Sequence, residues 1–130
     1  MIVVDASAIL EALLRTEAGK LVEERLFEPG QTLHAPHLLD VEVAQVLRRH
    51  AASRGRDAGR CREALDDLSD FPLHRYPHDL LLPRVWELHN DLTAYDAVYV
   101  ALAEILGAPL LTRDRRLANA AGHRAQVDLV

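Results

Sequence analysis

Cysteine is almost missing from this chain: Cys61 is the only one. One thiol cannot close an intrachain disulfide, nor build the clustered cysteine ligands of a zinc module. A reducing compartment, the cytoplasm, is therefore the expected home. Lysine is equally scarce, with Lys20 alone among 15 basic residues, a bias that genome composition explains as readily as selection for phosphate-binding forks. Long hydrophobic runs are absent too. The apolar stretches fall far short of the ~20 residues of a membrane span, and Ile2-Val3-Val4-Asp5 follows the first residue with no basic leader region, so no membrane association is expected. Positive charge is in deficit: 20 acidic against 15 basic residues give a formal net charge of −5. That argues against a protein that coats nucleic acid without regard to sequence, because such affinity comes from neutralising phosphates. Any nucleic acid must be met by a local basic patch. Repeats, low-complexity tracts and Ser/Gly linkers are likewise missing.

What is present is an ordinary globular composition, 49% hydrophobic and 27% charged over 130 residues, enough for one core and no second. Residues 1–130 are expected to form a single domain. Short apolar runs alternate with helical stretches. Met1–Val4 is β-branched and too short for a helix, and Ile9, Leu10, Leu13 and Leu14 recur at helical spacing across Ala6–Arg15. Further helices are expected over Glu17–Phe27, Leu38–Arg54 (ended by Gly55), Asp57–Leu68, Leu80–Leu92 with Pro83 near its start, Thr93–Leu106 (stopped by Gly107) and Asp114–Ala121. Strands are expected at Thr32–Ala35, Phe71–Tyr76, Pro109–Thr112 and Gln126–Val130. The alternation predicts an α/β fold, a three-layer α/β/α sandwich around a central parallel sheet.

In such sheets ligands bind beyond the carboxyl ends of the strands, where strand order reverses. Asp5 and Asp114 fall just past strand ends, while Asp96 and Glu42 lie near helix starts. Four carboxylates in one opening repel unless a divalent cation neutralises them, and hard oxygen donors favour magnesium or manganese over zinc. Each acid taken singly has a plainer reading. Asp5 and Asp114 could cap the helices that follow them, Thr93 and Asp96 have capping-box spacing, and Glu42 could be a solvated acid favoured by the helix dipole. Spacing alone leaves both readings open.

The segments Ile2-Val3-Val4-Asp5-Ala6-Ser7, Leu38-Leu39-Asp40-Val41-Glu42-Val43, Thr93 through Ala103 (with Tyr95-Asp96-Ala97-Val98-Tyr99) and Leu110-Leu111-Thr112-Arg113-Asp114 together resemble the PIN-domain family, and within it the VapC toxins of bacterial toxin–antitoxin pairs. The match runs in order over nearly the whole chain. The resemblance implies a metal-dependent endoribonuclease that cuts cellular RNA. It carries Asp5, Glu42, Asp96 and Asp114 over as the acidic set that holds Mg2+ or Mn2+, with Ser7 and Thr112 assisting nearby. It also implies a VapB-like antitoxin as cognate partner and a homodimer, the latter supported by the apolar stretches Leu80–Leu92 and Ala94–Leu106. Some members carry a further acid shortly after the Asp114 position. Here Arg115 and Arg116 stand there instead, which leaves one or two metal ions open.

Arg113, Arg115 and Arg116 could guide RNA, since guanidinium forks suit phosphate oxygens; a solvated helix end is the competing reading. Arg48, Arg49, Arg54, Arg56, Arg60 and Arg62 read as solvated helix faces, and Asp40 and Asp91 as surface groups. Trp86, Tyr95 and Tyr99 read as packing residues, and Cys61 as a thiol with no catalytic partner. The seven histidines are scattered, with no zinc-like spacing. Two other classes remain. A non-cutting RNA- or metal-binding relative is disfavoured by the presence of all four acids. A receiver or phosphatase-type domain would need a late lysine, and the phosphatase a second Asp at the position of Ser7.

Overall fold

A computed structural model of the chain describes residues 1–53 and 58–130. Among these, five strands alternate with seven helices: β1 (Ile2–Val4), α1 (Ala6–Leu13), α2 (Gly19–Leu26), β2 (Leu33–Pro36), α3 (Leu38–Ala52), α4 (Ala58–Asp70), β3 (Leu73–Tyr76), α5 (Leu82–Glu87), α6 (Ala94–Leu106), β4 (Leu110–Thr112), α7 (Arg115–Ala118) and β5 (Val127–Leu129). The strands form one sheet in the order β3-β2-β1-β4-β5, and every neighbouring pair is parallel. The chain steps outward from β1 to β3 on one side, then returns across the sheet to β4 and β5. Right-handed crossovers in opposite directions put the two sets of helices on opposite faces. Accordingly α1, α2, α3 and α4 pack on one another, whereas α5 packs on α6 and α6 covers β1, β2 and β4. This is the expected α/β/α sandwich.

β1 is the middle strand, and Ile2, Val3 and Val4 are each fully buried. A strand covered on both faces reads as a continuous apolar run rather than as alternation. α6 is fitted to it from Ala97 to Ala103 without one exposed residue. The helix opens on Thr93, whose hydroxyl accepts the Asp96 N–H at 3.2 Å, and closes on Gly107 in the left-handed region at φ 60°, which glycine adopts without strain. Most of the apolar surface expected of this segment, Ala97 to Ala103, is thus spent inside the chain. Across Leu80–Leu106 the large apolar side chains that stay exposed are Leu80, Leu82, Trp86, Tyr95 and Ile105.

Several element ends differ from the sequence expectation. α2 begins at Gly19 rather than Glu17, because the Thr16 hydroxyl accepts the Gly19 N–H and makes a turn there. A side chain at Gly19 would also run into the Glu11 carbonyl of α1. The helix expected over Leu80–Leu92 shortens to Leu82–Glu87, with Pro83 in its first turn, where a missing N–H has no intrahelical partner to lose. α1 stops at Leu13, α7 at Ala118, and β3 starts at Leu73. Arg54 and Gly55, Arg56, and the Asp57 helix start lie outside the described residues. Asp40, expected as a surface group, accepts two bonds from Arg75, at 2.8 and 3.0 Å, and ties α3 to β3. Cys61 is buried in the core.

At the amino ends of β4 and β5, the Glu104 side chain of α6 is largely removed from water, 8% exposed. It accepts Arg84 Nε at 2.7 Å and Nη2 at 3.1 Å, and the Arg124 N–H at 2.7 Å. The Arg84 hydrogen bonds hold the Glu104 carboxyl below its ordinary value against the opposing effect of burial. A carboxyl whose pKa is depressed on folding stabilises the fold above its unfolded value of about 4.3, and loses that contribution as pH falls through the lower folded value. Glu104→Gln is therefore expected to cost about 1–3 kcal/mol at neutral pH, with the two melting temperatures converging as the pH drops below about 4. Thermal melting of both proteins across that range checks it.

Candidate functional site

The strand order reverses at β1, so a crevice opens past its carboxyl end between the β2 and β4 sides. Asp5 stands there, one residue beyond Val4. Its carboxylate is 6% exposed and fully engaged: Oδ1 accepts the Ser7 hydroxyl at 2.6 Å and the Ala8 N–H at 3.0 Å, and Oδ2 accepts the Thr112 hydroxyl. The same hydroxyls accept from backbone in turn. Ser7 takes the Arg113 N–H and Thr112 the Asp114 N–H, each at 2.9 Å. Two hydroxyls thus lock the end of β1 to the end of β4. Burial raises the Asp5 pKa, the Ser7, Thr112 and Ala8 hydrogen bonds oppose that rise, and the charge of Asp114 adds to it.

Asp114 follows β4 and caps α7, accepting the Arg116 N–H at 2.8 Å. Arg116 also reaches back, placing Nη2 at 3.1 Å from Asp114 and 4.0 Å from Asp96. Burial pushes the Asp114 pKa up, but the Arg116 N–H and guanidinium outweigh it, and the net shift is downward. Asp5 and Asp114 are therefore caps, as the plainer reading had it, and also neighbours in one site. Both carboxylates cap a helix and both line the crevice.

Glu42 is not a solvated acid. One turn into α3, it accepts the Tyr99 hydroxyl from α6 at 2.5 Å, a bond between the two helix layers. Burial raises its pKa, the Tyr99 bond lowers it, and the charges of Asp5 and Asp96 raise it further. The Tyr99 hydroxyl itself is pushed well above its ordinary value by burial and by these carboxylates. Tyr99 was read as a packing residue. Its spacing from Asp96 at i, i+3 put it on the same helix face, the one signal that marked it. Trp86 and Tyr95 stay outside the core, 71% and 65% exposed, with the Trp86 ring stacked on His89.

Asp5, Glu42, Asp96 and Asp114 line one cavity of about 560 Å³ together with Ser7 and Arg116. Arg113 turns elsewhere, to Glu11 at 3.6 Å and the Val130 carbonyl at 2.7 Å. Arg115 and Thr112 do not line the opening, although Thr112 holds Asp5 from behind.

A family model described as PIN domain matches residues 2–123. The chain belongs to the PIN-domain family. Ribonuclease VapC1 of Mycobacterium tuberculosis is 43% identical over 129 residues, spanning 98% of this chain and 96% of that protein. The crystal structure of PAE2754 from Pyrobaculum aerophilum superposes with a TM-score of 0.72 at 27% identity, over 99% of this chain and 83% of that one. VapBC2 from Rickettsia felis, bound to a promoter DNA fragment, superposes at 0.73 and 13% identity over 100% and 99%, and shares the fold.

PIN domains imply a divalent cation, and the donor set fits one. All four groups are hard oxygen donors, and two of them carry pKa values raised by burial and mutual charge, which a cation would relieve. Among the described residues no three of these side chains yet form a ligating cluster, since Asp5, Glu42 and Asp114 are each drawn to their own partner. A carboxylate raised on folding opposes the fold while it is charged. Asp5→Asn keeps the cap acceptor and removes that charge, so it is expected to melt at or above the wild type in EDTA and to gain less on adding magnesium. Melting well below wild type in EDTA would mark Asp5 as a structural residue alone.

Proposed function

We propose that residues 1–130 act as a single PIN nuclease domain that hydrolyses phosphodiesters of cellular RNA, with Asp5, Glu42, Asp96 and Asp114 holding magnesium or manganese. The observation that carries this reading is the gathering of four carboxylates from β1, α3, α6 and β4 around one opening. The full-length likeness to a protein named a ribonuclease supports the reaction class. A divalent cation held there supplies neutralisation of the acids and Lewis-acid activation of phosphate and water.

The chain's own residues set the stage for that chemistry. Ser7 and Thr112 fix the Asp5 carboxylate from two sides and leave it no freedom to swing. Tyr99 holds Glu42 to the opening from the opposite helix layer. Arg116, 80% exposed and resting on Asp96 and Asp114, sits where it can exchange those carboxylates for an incoming phosphate, as a guanidinium fork does. Ser7 is held as a donor to Asp5 and an acceptor from the Arg113 N–H, which leaves it no role as a nucleophile.

We assign the protein to the cytoplasm as a toxin restrained by a VapB-like antitoxin and working as a homodimer. The family resemblance supports the antitoxin. The cluster of Leu80, Leu82 and Trp86, 77%, 56% and 71% exposed, supports self-association, because apolar side chains left together on a surface favour contact with another chain. No helix among the described residues is long and apolar enough to cross a membrane.

Two outcomes are expected. RNA cleavage requires magnesium or manganese, stops in excess EDTA, and falls on the order of a hundredfold or more in Asp5→Asn, since outer partners of metal ligands alone are worth 10–100-fold. Full-rate cleavage in EDTA refutes the metal reading. Light scattering at tens of micromolar, a concentration suited to weak association, is expected to give the mass of a dimer, and a monomer there refutes self-association.

A further inference from the structure

Arg116 has a side chain 80% exposed, and an arginine so placed ordinarily carries its charged head into water. This one turns back over the start of its own helix. Nη2 stands 3.1 Å from Asp114 Oδ2 and 4.0 Å from Asp96 Oδ2, while the backbone N–H donates to Asp114 Oδ1 at 2.8 Å. Both oxygens of Asp114 are thereby engaged by one residue. Among the described residues Arg116 has no partners besides these two acids, and the Asp96 carboxylate has no partner besides Arg116. The other arginines differ: Arg113 is tied to Glu11 and the Val130 carbonyl, and Arg84 to Glu104 and Glu87, none of which belongs to the acidic set.

An oxygen held by a guanidinium is not free to ligate a divalent cation, and a doubly charged ion beside the guanidinium meets like-charge repulsion. Asp5 and Glu42, by contrast, are held by hydroxyls and an N–H, which carry no net charge. The competitor is therefore confined to the Asp96–Asp114 side of the opening. It is also displaceable, because water competes for both partners of an exposed ion pair and leaves it weak. Arg84 on the buried Glu104 is a structural tie of the other kind. If the Arg116 guanidinium leaves, Asp114 stays anchored, since its Oδ1 still accepts the Arg116 N–H and its own N–H still donates to the Thr112 hydroxyl.

We propose that Arg116 is an internal counter-ion of the carboxylate site: its guanidinium holds the Asp96–Asp114 side in the metal-free protein, competes with a divalent cation for those oxygens, and swings out to the rim when they are taken. The inference rests on the metal reading of the four acids and adds to it a regulation of that same site. The chain sets its own metal affinity below the value its acids alone would give. The same contact gives the metal-free acids a positive charge that hydroxyl partners cannot supply.

The test uses the whole chain and Mn2+ itself as the probe, read by titration calorimetry and by the paramagnetic resonance of the free ion. Arg116→Gln is expected to bind Mn2+ about three- to tenfold more tightly than the wild type, because it removes a competitor of ion-pair strength together with a like charge near the ion. Arg116→Lys, which keeps the charge without the fork, is expected to lie nearer to the wild type than Arg116→Gln does. Arg115→Gln removes the same charge from a neighbouring exposed position that does not line the opening, and is the control for overall charge. Thermal melting gives a second readout. Arg116→Gln is expected to melt slightly below the wild type in EDTA, where its acids keep no counter-ion, and to gain more when Mn2+ is added, the reverse of Asp5→Asn. All three substitutions change exposed side chains, and the melts in EDTA verify folding. Equal or weaker Mn2+ binding by Arg116→Gln would overturn the counter-ion and leave the metal reading intact. So would an Arg115→Gln that tightens binding as much. If the wild type takes up no Mn2+, the metal reading itself fails, and the counter-ion with it.

Discussion

The structure turns on a negative charge taken out of water at the end of the middle strand. Asp5 is nearly as buried as the valines before it, and a carboxylate there is tolerable only with dense hydrogen bonding. Ser7 and Thr112 provide that, and in doing so take the N–H groups of Arg113 and Asp114. The need to solvate one carboxylate thereby sets where β4 ends, where α7 begins and how Asp114 is presented.

The two ends of the sheet handle buried charge in opposite ways. Around Glu104, the protein neutralises the acid from within by a forked Arg84 and a backbone N–H. Around Asp5 and Glu42, the partners are hydroxyls and, for Asp5, the Ala8 N–H, which satisfy lone pairs and carry no positive charge. Among the described residues Arg116 is the one cation paired with Asp96 and Asp114, and it does so from an exposed position at the rim. The interior is left short of cations at one place, which is the arrangement expected where a diffusible cation or a phosphate-bound one is to be taken up.

That arrangement also dissolves the contest between capping and function. Asp5 accepts the Ala8 N–H and Asp114 the Arg116 N–H, so both are good caps. A cap residue sits at a helix amino terminus, and in a parallel sheet those termini gather beyond the carboxyl ends of the strands. The same topology that makes an Asp useful to its helix delivers it to the crevice.

Much of this was written locally. The β-branched run at Ile2–Val4 and the α6 segment between Thr93 and Gly107 announce parallel strands and helix ends, because patterning, caps and glycine stops act over a few residues, while the acidic set of Asp5, Glu42, Asp96 and Asp114 was implied by the family resemblance of the segments around them. Other features could not be read so. The length of α5 depended on what covered Leu80–Leu92, the tie between Asp40 and Arg75 spans 35 positions, and the Tyr99 bond to Glu42 spans 57. Tyr95 and Tyr99 are four residues apart on one helix, one exposed and one buried, and beyond the i, i+3 spacing of Tyr99 from Asp96 their identical chemistry did not tell them apart. Nor could a row of arginines declare which member would lie against Asp96. Those outcomes rest on contacts between chain segments distant in sequence, and only the packing of α3 and α6 across the end of the sheet decided them.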